Sequence, residues 1–156
     1  MSVAFRRESD EEHREPKFEL PIPAGPNLVT SRGLRLIAER IAALEAEVEL
    51  AEDETVIARL QRDLRYWRTR QITAEIAPAP SGEKVEFGTK VNFLLNGKAK
   101  ALWIVGDDEA DPAAGLISFN APVSRAMMGA EIGDLLPFGA VDDAIEVLKI
   151  EVAGED

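Results

Sequence analysis

The sequence predicts an α+β protein: an N-terminal antiparallel helical hairpin followed by a small antiparallel β domain with one short helix. Two observations support this fold class. Residues 34–72 carry two apolar seams at heptad spacing, separated by a short polar break. Beyond Pro78 and Pro80 the pattern changes to strand-like alternation, and Asn96-Gly97 is a strong signal for a tight β-hairpin turn.

Both seams place apolar residues three and four positions apart, on the two sides of a polar break at residues 51–55. Thr30 precedes the first seam as a helix cap. Each predicted arm has about 20 residues and is therefore about 30 Å long. The first seam is Leu34, Ile37, Ile41, Leu44 and Val48, and the second is Ile57, Leu60, Leu64 and Trp67, with Ile72 near its end.

The two arms carry opposite charges. Six acids and no base lie between Glu45 and Glu54, whereas the return arm has five arginines and one acid. We expect Glu45 and Glu49 to pair with arginines across the seam. Such pairs do not explain three consecutive acids at the tip, which form either an exposed polar turn or a functional cluster. The tip acids are Glu52, Asp53 and Glu54.

The β domain is predicted as a twisted antiparallel sheet covered by one short helix. The partner strand of the first hairpin runs through Lys100–Val105, and the acids that follow Gly106 are expected to form a solvated loop. A short helix then starts at Pro122, with Ser118 or Asn120 as its cap. The loop acids are Asp107, Asp108, Glu109 and Asp111, and the inward strand positions include Val91, Phe93, Leu95, Ile145, Val147 and Ile150.

The overall composition limits the class of protein. The chain has 156 residues, a formal net charge of −11 and no cysteine. The negative charge argues against free nucleic acid as the main partner, and the lack of cysteine excludes disulfides and thiolate zinc sites. No apolar run approaches the roughly 18 residues of a membrane span, and the N-terminus lacks the apolar core of a secretory signal. We therefore expect a cytoplasmic protein with no membrane partner.

Four segments are predicted. Residues 1–27 form a disordered or extended tail, 28–77 the helical hairpin, 78–84 a linker and 85–153 the β domain. The tail holds the only histidine, His13, which has no fixed partner there. Its stretch Phe18–Pro23 could lie as an extended strap on the folded part.

Several blocks of the β domain follow one another in the order of a known family. They are Val85–Val91, Ile104–Gly106, Glu109–Asp111, Ile117–Ser118, Ala121–Ala126, Gly129 and Ile132–Asp134. Together these blocks resemble the C-terminal domain of the GreA/GreB transcript-cleavage factors. The hairpin is similar to the same family in outline at Leu28–Leu34 and Arg62–Tyr66.

The resemblance implies an FKBP-like C-terminal domain that docks at the rim of the secondary channel of bacterial RNA polymerase, while the hairpin enters the channel. It implies contact with nucleic acid only inside the polymerase complex, and no cofactor except a magnesium ion shared with polymerase. We expect a monomer that is not an enzyme by itself. The expected polymerase-binding residues are Asp107, Asp108, Ala121, Pro122, Val123 and Arg125.

The tip departs from the family pattern, because the Gly-Asp-Leu-x-Glu-Asn-Ala-Glu-Tyr signature is absent. Asp53 and Glu54, with Glu52, are candidates for catalytic acids, and Asp53 and Glu54 for magnesium ligands within polymerase. If each arm is shorter by about 11 residues, the hairpin loses roughly 16 Å. A magnesium ligand must approach the ion to about 2.1 Å. We therefore expect a regulator of elongation that binds polymerase without normal stimulation of cleavage.

Three other functions remain open. The chain could be a true cleavage-stimulating factor that uses Asp53 and Glu54. The FKBP-like fold could support peptidyl-prolyl isomerase activity, although its aromatic residues are needed for the core. A homodimeric coiled-coil adaptor is the third possibility, and the proline-rich stop at Pro78–Pro80 argues against it.

Overall fold

The computed structural model describes residues 19–153, so His13 and Phe18 lie outside the described residues. The chain divides into two compact units. One contains Arg35–Thr73 together with the described part of the N-terminal segment up to Gly25. The other contains Pro26–Leu34 and the chain from Ala74 onward, so it includes the first turn of the first helix. The domain boundaries expected at residues 27, 77 and 84 stay predictions.

The hairpin consists of helix α1, Ser31–Leu50, and helix α2, Glu54–Thr73. Each helix has a side-chain cap. The Thr30 hydroxyl accepts the amide of Gly33 at 2.9 Å, and one carboxylate oxygen of Asp53 accepts the amides of Thr55 and Val56 at 2.7 and 3.2 Å. These bonds satisfy amides that have no partner inside the helix. The predicted cap at Thr30 and the predicted arm lengths are confirmed.

The heptad seam accounts for the buried apolar side chains of both helices, and Arg70 of α2, outside the seam, is buried as well at 2% exposed. One expected seam residue, Ile72, is 82% exposed. It follows Trp67 by five residues, and at about 100° per residue this places it well away from the seam. The buried seam residues are Ile37, Ile41, Leu44, Leu60 and Leu64.

Charged side chains also connect the two arms. Arg68 donates to Glu45 at 2.7 Å, and the guanidinium of Arg40 lies 6.0 Å from the centre of the Trp67 ring. The Glu45 pair confirms the prediction, whereas the pairing of Glu49 stays a prediction. Both partners of the ion pair are about half exposed, so it contributes about 0.2–1 kcal/mol at most.

The second unit contains a five-stranded sheet in the order β5-β4-β3-β7-β6. A separate two-stranded parallel sheet joins β1 to β2. Strands β3, β4, β6 and β7 pair in antiparallel fashion. The strands are β1 Leu28–Val29, β2 Glu75–Ile76, β3 Thr89–Leu95, β4 Lys98–Val105, β5 Leu116–Ser118, β6 Leu135–Phe138 and β7 Val141–Val152.

The tight turn between β3 and β4 is the one predicted. Asn96 and Gly97 have φ values of 51° and 84°, as a type I′ turn requires. The predicted helical hairpin followed by an antiparallel β domain is confirmed, and one strand pair departs from the antiparallel pattern, because β4 and β5 are parallel. Residues 106–115 connect β4 to β5 and include a 3₁₀ turn at Pro112–Ala114. This connection reverses the direction of the chain before β5 starts. A parallel pair needs such a return.

Helix α3, Pro122–Met127, starts at Pro122 as predicted. Its N-cap residue is Ala121, which makes no side-chain cap bond. The predicted caps Ser118 and Asn120 are therefore wrong, and both side chains bind Asp107 instead. Gly129, with a φ of 85°, follows the end of the helix.

The core of the β domain involves the sheet, α3 and the segment before β3. Three partly buried phenylalanines, Phe87, Phe119 and Phe138, pack against it. The rings of Phe87 and Phe119 meet edge to face, 5.4 Å apart. The phenylalanines of this domain thus contribute to its interior, as predicted for Phe93. The fully buried members are Val85, Val91, Phe93, Ile104, Met127, Ile145 and Val147.

The hydroxyl of Ser124 is buried in α3 and has no hydrogen-bond partner among the described residues. Such a group costs stability, because its bonds to water are lost without replacement. We expect Ser124→Ala to raise the free energy of unfolding by about 1 kcal/mol, measured by chemical denaturation. Ser118→Ala is the control and should destabilise the protein, since the Ser118 hydroxyl is bonded to Asp107. A loss of stability in Ser124→Ala would contradict the conclusion that the buried Ser124 hydroxyl destabilises the protein.

Candidate functional site

The acidic loop after β4 contains a buried carboxylate. Glu109 is only 7% exposed, so the prediction that all four loop acids are solvated is wrong for this residue. One of its oxygens accepts the Thr30 hydroxyl at 2.6 Å, and the other accepts the Arg32 guanidinium at 2.8 Å. A buried carboxylate is stable only with such partners. Glu109 therefore binds the first turn of α1 to the β domain.

Two glycines make room for this contact. A Cβ atom at Gly33 would lie 2.9 Å from the nearer Glu109 oxygen. A Cβ atom at Gly106 would collide with the backbone carbonyl of Leu28. The threonine and glycine that open the hairpin thus have a physical role: Thr30 caps the helix and binds Glu109, and Gly33 lets the carboxylate approach.

Sequence reasoning missed Glu109 and Arg32, although one signal was present. Gly33 lies inside a helix, where glycine costs about 0.5–1 kcal/mol relative to alanine. A glycine at such a position indicates a close approach by another part of the chain. Nothing in the sequence identifies the approaching group as Glu109.

A second acid of the loop joins it to the start of α3. The Ser118 hydroxyl donates to Asp107 at 2.5 Å, and the Asn120 amide group lies 3.2 Å from both Asp107 oxygens. The backbone amide of Asn120 donates to the Ser118 hydroxyl at 2.9 Å. Asp107 is thereby held beside Asn120, the residue that precedes Ala121. The structure thus brings together two of the candidate residues, Asp107 and Ala121.

The candidate polymerase-binding residues differ in exposure. Pro122 and Arg125 are exposed, whereas Asp107, Asp108 and Ala121 are half-buried. Val123 packs against the core cluster, so part of its side chain has a structural role.

The tip of the hairpin is a three-residue turn between the helices, Ala51–Asp53. Glu52, Asp53 and Glu54 are exposed, and Leu50 beside them is 82% exposed. One Asp53 oxygen is occupied by the cap of α2. Within residues 19–153, no group of three or more potential metal-ligating acids or histidines comes together. The tip alone is therefore not a preformed metal site in the described part of the chain.

Comparison with known proteins identifies the family. Residues 79–152 match the model described as transcription elongation factor, GreA/GreB, C-terminal. The GreA proteins of Chelativorans sp. (strain BNC1) and Mesorhizobium japonicum are 34% and 32% identical to this chain over 127 residues. Each match covers 74% of this chain and 81% of the relative. The chain belongs to the GreA/GreB family of transcription elongation factors.

Other matches are shorter or more distant. GreA of Rhizobium leguminosarum bv. viciae is 40% identical over 74 residues, which is 45% of this family member and 47% of the relative. The chain thus aligns with about half the length of that protein. The solved structure of GreA factor homolog 1 from Thermus thermophilus has a TM-score of 0.38 at 17% identity, with 81% of this chain and 99% of that chain covered. GreA/GreB from Nitrosomonas europaea gives 0.37 at 19% identity, with 82% and 99% covered.

Membership of the GreA/GreB family corrects one prediction. The prediction that this chain is not an enzyme is wrong, because relatives that match three quarters of it are named transcription elongation factor GreA. The sequence resemblance described above implies that proteins of this family act in RNA cleavage inside polymerase. Among residues 19–153, no helix is both long and apolar enough to cross a membrane.

The Glu109 contact can be tested by stability. We expect Glu109→Ala to lower the free energy of unfolding by about 2 kcal/mol, because Thr30 and Arg32 lose a charged acceptor. Asp111→Ala is the matched control, since Asp111 lies in the same loop, is exposed and should change stability by less than about 0.5 kcal/mol. Urea denaturation measures both. Equal effects of the two substitutions would refute the special role of Glu109.

Proposed function

We propose that this GreA/GreB family member regulates transcription elongation by binding bacterial RNA polymerase at the secondary channel, without normal stimulation of transcript cleavage. Family membership supports the partner. The proposed setting is the bacterial cytoplasm, where the chain acts as a monomer and meets nucleic acid only inside the polymerase complex.

The observation that carries the second half of the proposal is the geometry of the hairpin. Each arm has 20 residues, which corresponds to about 30 Å of helix. The family resemblance implies longer arms, and a deficit of about 11 residues would leave the tip roughly 16 Å short. A carboxylate that must reach a magnesium ion to about 2.1 Å cannot act across such a gap.

The chemistry of the tip supports the same conclusion. The cap of α2 uses one oxygen of Asp53, at 2.7 Å from the amide of Thr55. An ion that required both oxygens of Asp53 would have to break this cap, at a cost of about 1 kcal/mol. Glu52 and Glu54 are exposed and can approach an ion only if polymerase itself holds it.

The proposed docking surface on the β domain is the start of α3 with the adjacent acidic loop. Pro122 and Arg125 are its exposed members, and Asp107 is held beside it by Ser118 and Asn120. A basic residue and an acidic residue on the same proposed surface would favour one orientation of the partner. Asp108, Ala121 and Val123 complete the proposed set.

The main alternative is a true cleavage-stimulating factor, in which Asp53 and Glu54 hold a magnesium ion shared with polymerase. Exposure of both side chains at the tip favours it. Isomerase activity has less support, because Phe87, Phe93 and Phe119 are part of the core or packed against it instead of lining an open proline site.

Binding to polymerase is tested first by co-elution with bacterial core polymerase. We expect the chain to co-elute and an excess of a genuine cleavage factor to displace it. Arg125→Glu should weaken co-elution, because it reverses the exposed charge of the proposed docking surface. Lys98→Glu, an exposed charge reversal at the start of β4, serves as the control. If Lys98→Glu and Arg125→Glu weaken binding equally, this surface is not the one used.

Cleavage is tested on a backtracked polymerase complex. We expect the chain to leave the rate of RNA cleavage unchanged and to slow cleavage by a competing factor. The double variant Asp53→Ala with Glu54→Ala should behave in the same way, and Glu47→Ala with Glu49→Ala is a charge-matched control on α1. Acceleration by the native chain that only the tip variant abolishes would establish the cleavage-factor alternative.

A further inference from the structure

The described part of the N-terminal segment lies along one side of α2, and the two together line a groove. The segment contributes Leu20 and Ile22, and the helix contributes Tyr66, Thr69 and Ile72. All of these residues belong to the same compact unit. The groove is distinct from the seam with α1, whose buried residues on this helix are Leu60 and Leu64.

The helix side of the groove is one continuous stripe. Arg65, Thr69 and Ile72 follow one another at spacings of four and three, which places them on the same face of α2. Ile72 lines the groove, although its side chain is 82% exposed and it is absent from the seam. The stripe offers a guanidinium at one end and an apolar side chain at the other.

The segment is fixed at one end by a two-pronged ion pair. Arg65 donates through Nε to one oxygen of Glu19 at 2.7 Å and through a terminal nitrogen to the other at 2.8 Å. This geometry is more specific than a single contact between opposite charges. Both side chains are more than half exposed, so salt should weaken the pair.

The ion pair also depends on pH. The hydrogen bond from Arg65 lowers the pKa of Glu19 below its ordinary value of 4.5, and the charge of Arg62 adds to this effect. The same bond raises the pKa of Arg65. Arg68, the remaining charged group of the groove, is also basic. The pair is therefore complete above pH 4.5 and is lost as the pH falls through the lowered pKa of Glu19.

The composition of the segment suits an extended ligand. Pro21 and Pro23 restrict the backbone before binding, so less conformational entropy is lost when the segment is held in the groove. Leu20 and Pro23 are half-buried, whereas Ile22 is 46% exposed. The tether to α1 further favours this segment over a free peptide, because it keeps the local concentration high.

We propose that this face of α2 is a docking surface for an extended, proline-containing segment that carries one acid, and that its resident occupant is Glu19–Pro23 of the same chain. The segment acts as a strap in cis. Any partner that uses Arg65 and Tyr66 has to displace it first, so the strap limits access to this side of the hairpin.

The absence of cysteine from the chain allows a direct test on the full-length protein. A spin label is placed on Ala24→Cys, at an exposed position next to the strap. We expect it to broaden the amide resonances of Tyr66 and Thr69. Arg65→Glu should remove most of this broadening, and Glu19→Arg combined with Arg65→Glu should restore it. Arg59→Glu, an exposed charge reversal on the same helix, should leave it unchanged.

Each other outcome overturns the proposal. Absence of broadening in the native background, or broadening that survives Arg65→Glu, would show that the strap is not docked through this pair. Broadening between a spin-labelled copy and a separate isotope-labelled copy would show that the segment binds in trans. Helix content of every variant is checked by circular dichroism, and the paired reversal tests the contact even if Arg65→Glu alone disturbs the helix. No polymerase is present, so the result does not depend on the proposed function.

Discussion

The buried carboxylate of Glu109 is the contact on which the start of the hairpin depends. A carboxylate removed from water needs charged or hydrogen-bonding partners, and here both come from the first turn of α1. Thr30 serves twice, since its hydroxyl accepts the Gly33 amide and donates to Glu109. Without the Glu109 carboxylate, Thr30 and Arg32 would lose their acceptor. The close approach that requires a glycine at position 33 would also be lost.

The acidic loop thus makes two structural contacts through two of its acids. Glu109 faces the start of α1, while Asp107 faces Ser118 and Asn120 at the approach to α3. Side-chain bonds thus connect the loop both to the start of α1 and to the residues before α3. The second of these bonds lies beside the start of α3, where Pro122 and Arg125 are exposed.

Much of the fold was predictable because it follows from local periods. Heptad spacing gave both helices, alternation gave β3 and β4, and Asn96-Gly97 gave their turn. The burial of Glu109 was not predictable, because its partners are 77 and 79 residues away and its neighbours are acidic. The parallel pairing of β5 depends on the path of the return loop, which no local pattern specifies. Of the candidate site, the sequence predicted the tip acids and the start of α3, and these stay predictions, but it did not predict the bonds of Asp53 and Asp107.

Helix α2 shows how one element can serve two surfaces. Its seam residues Leu60 and Leu64 are buried, and its next seam position, four residues after Trp67, is Gln71. Ile72 lies about 100° further round the helix, on the stripe that begins at Arg65. The spacing of five residues between Trp67 and Ile72 was visible in the sequence, but only the structure shows that Ile72 lines a second surface together with Glu19 and Leu20. Because Ile72 stays 82% exposed, the ion pair between Glu19 and Arg65, and not burial of this apolar side chain, defines that second surface.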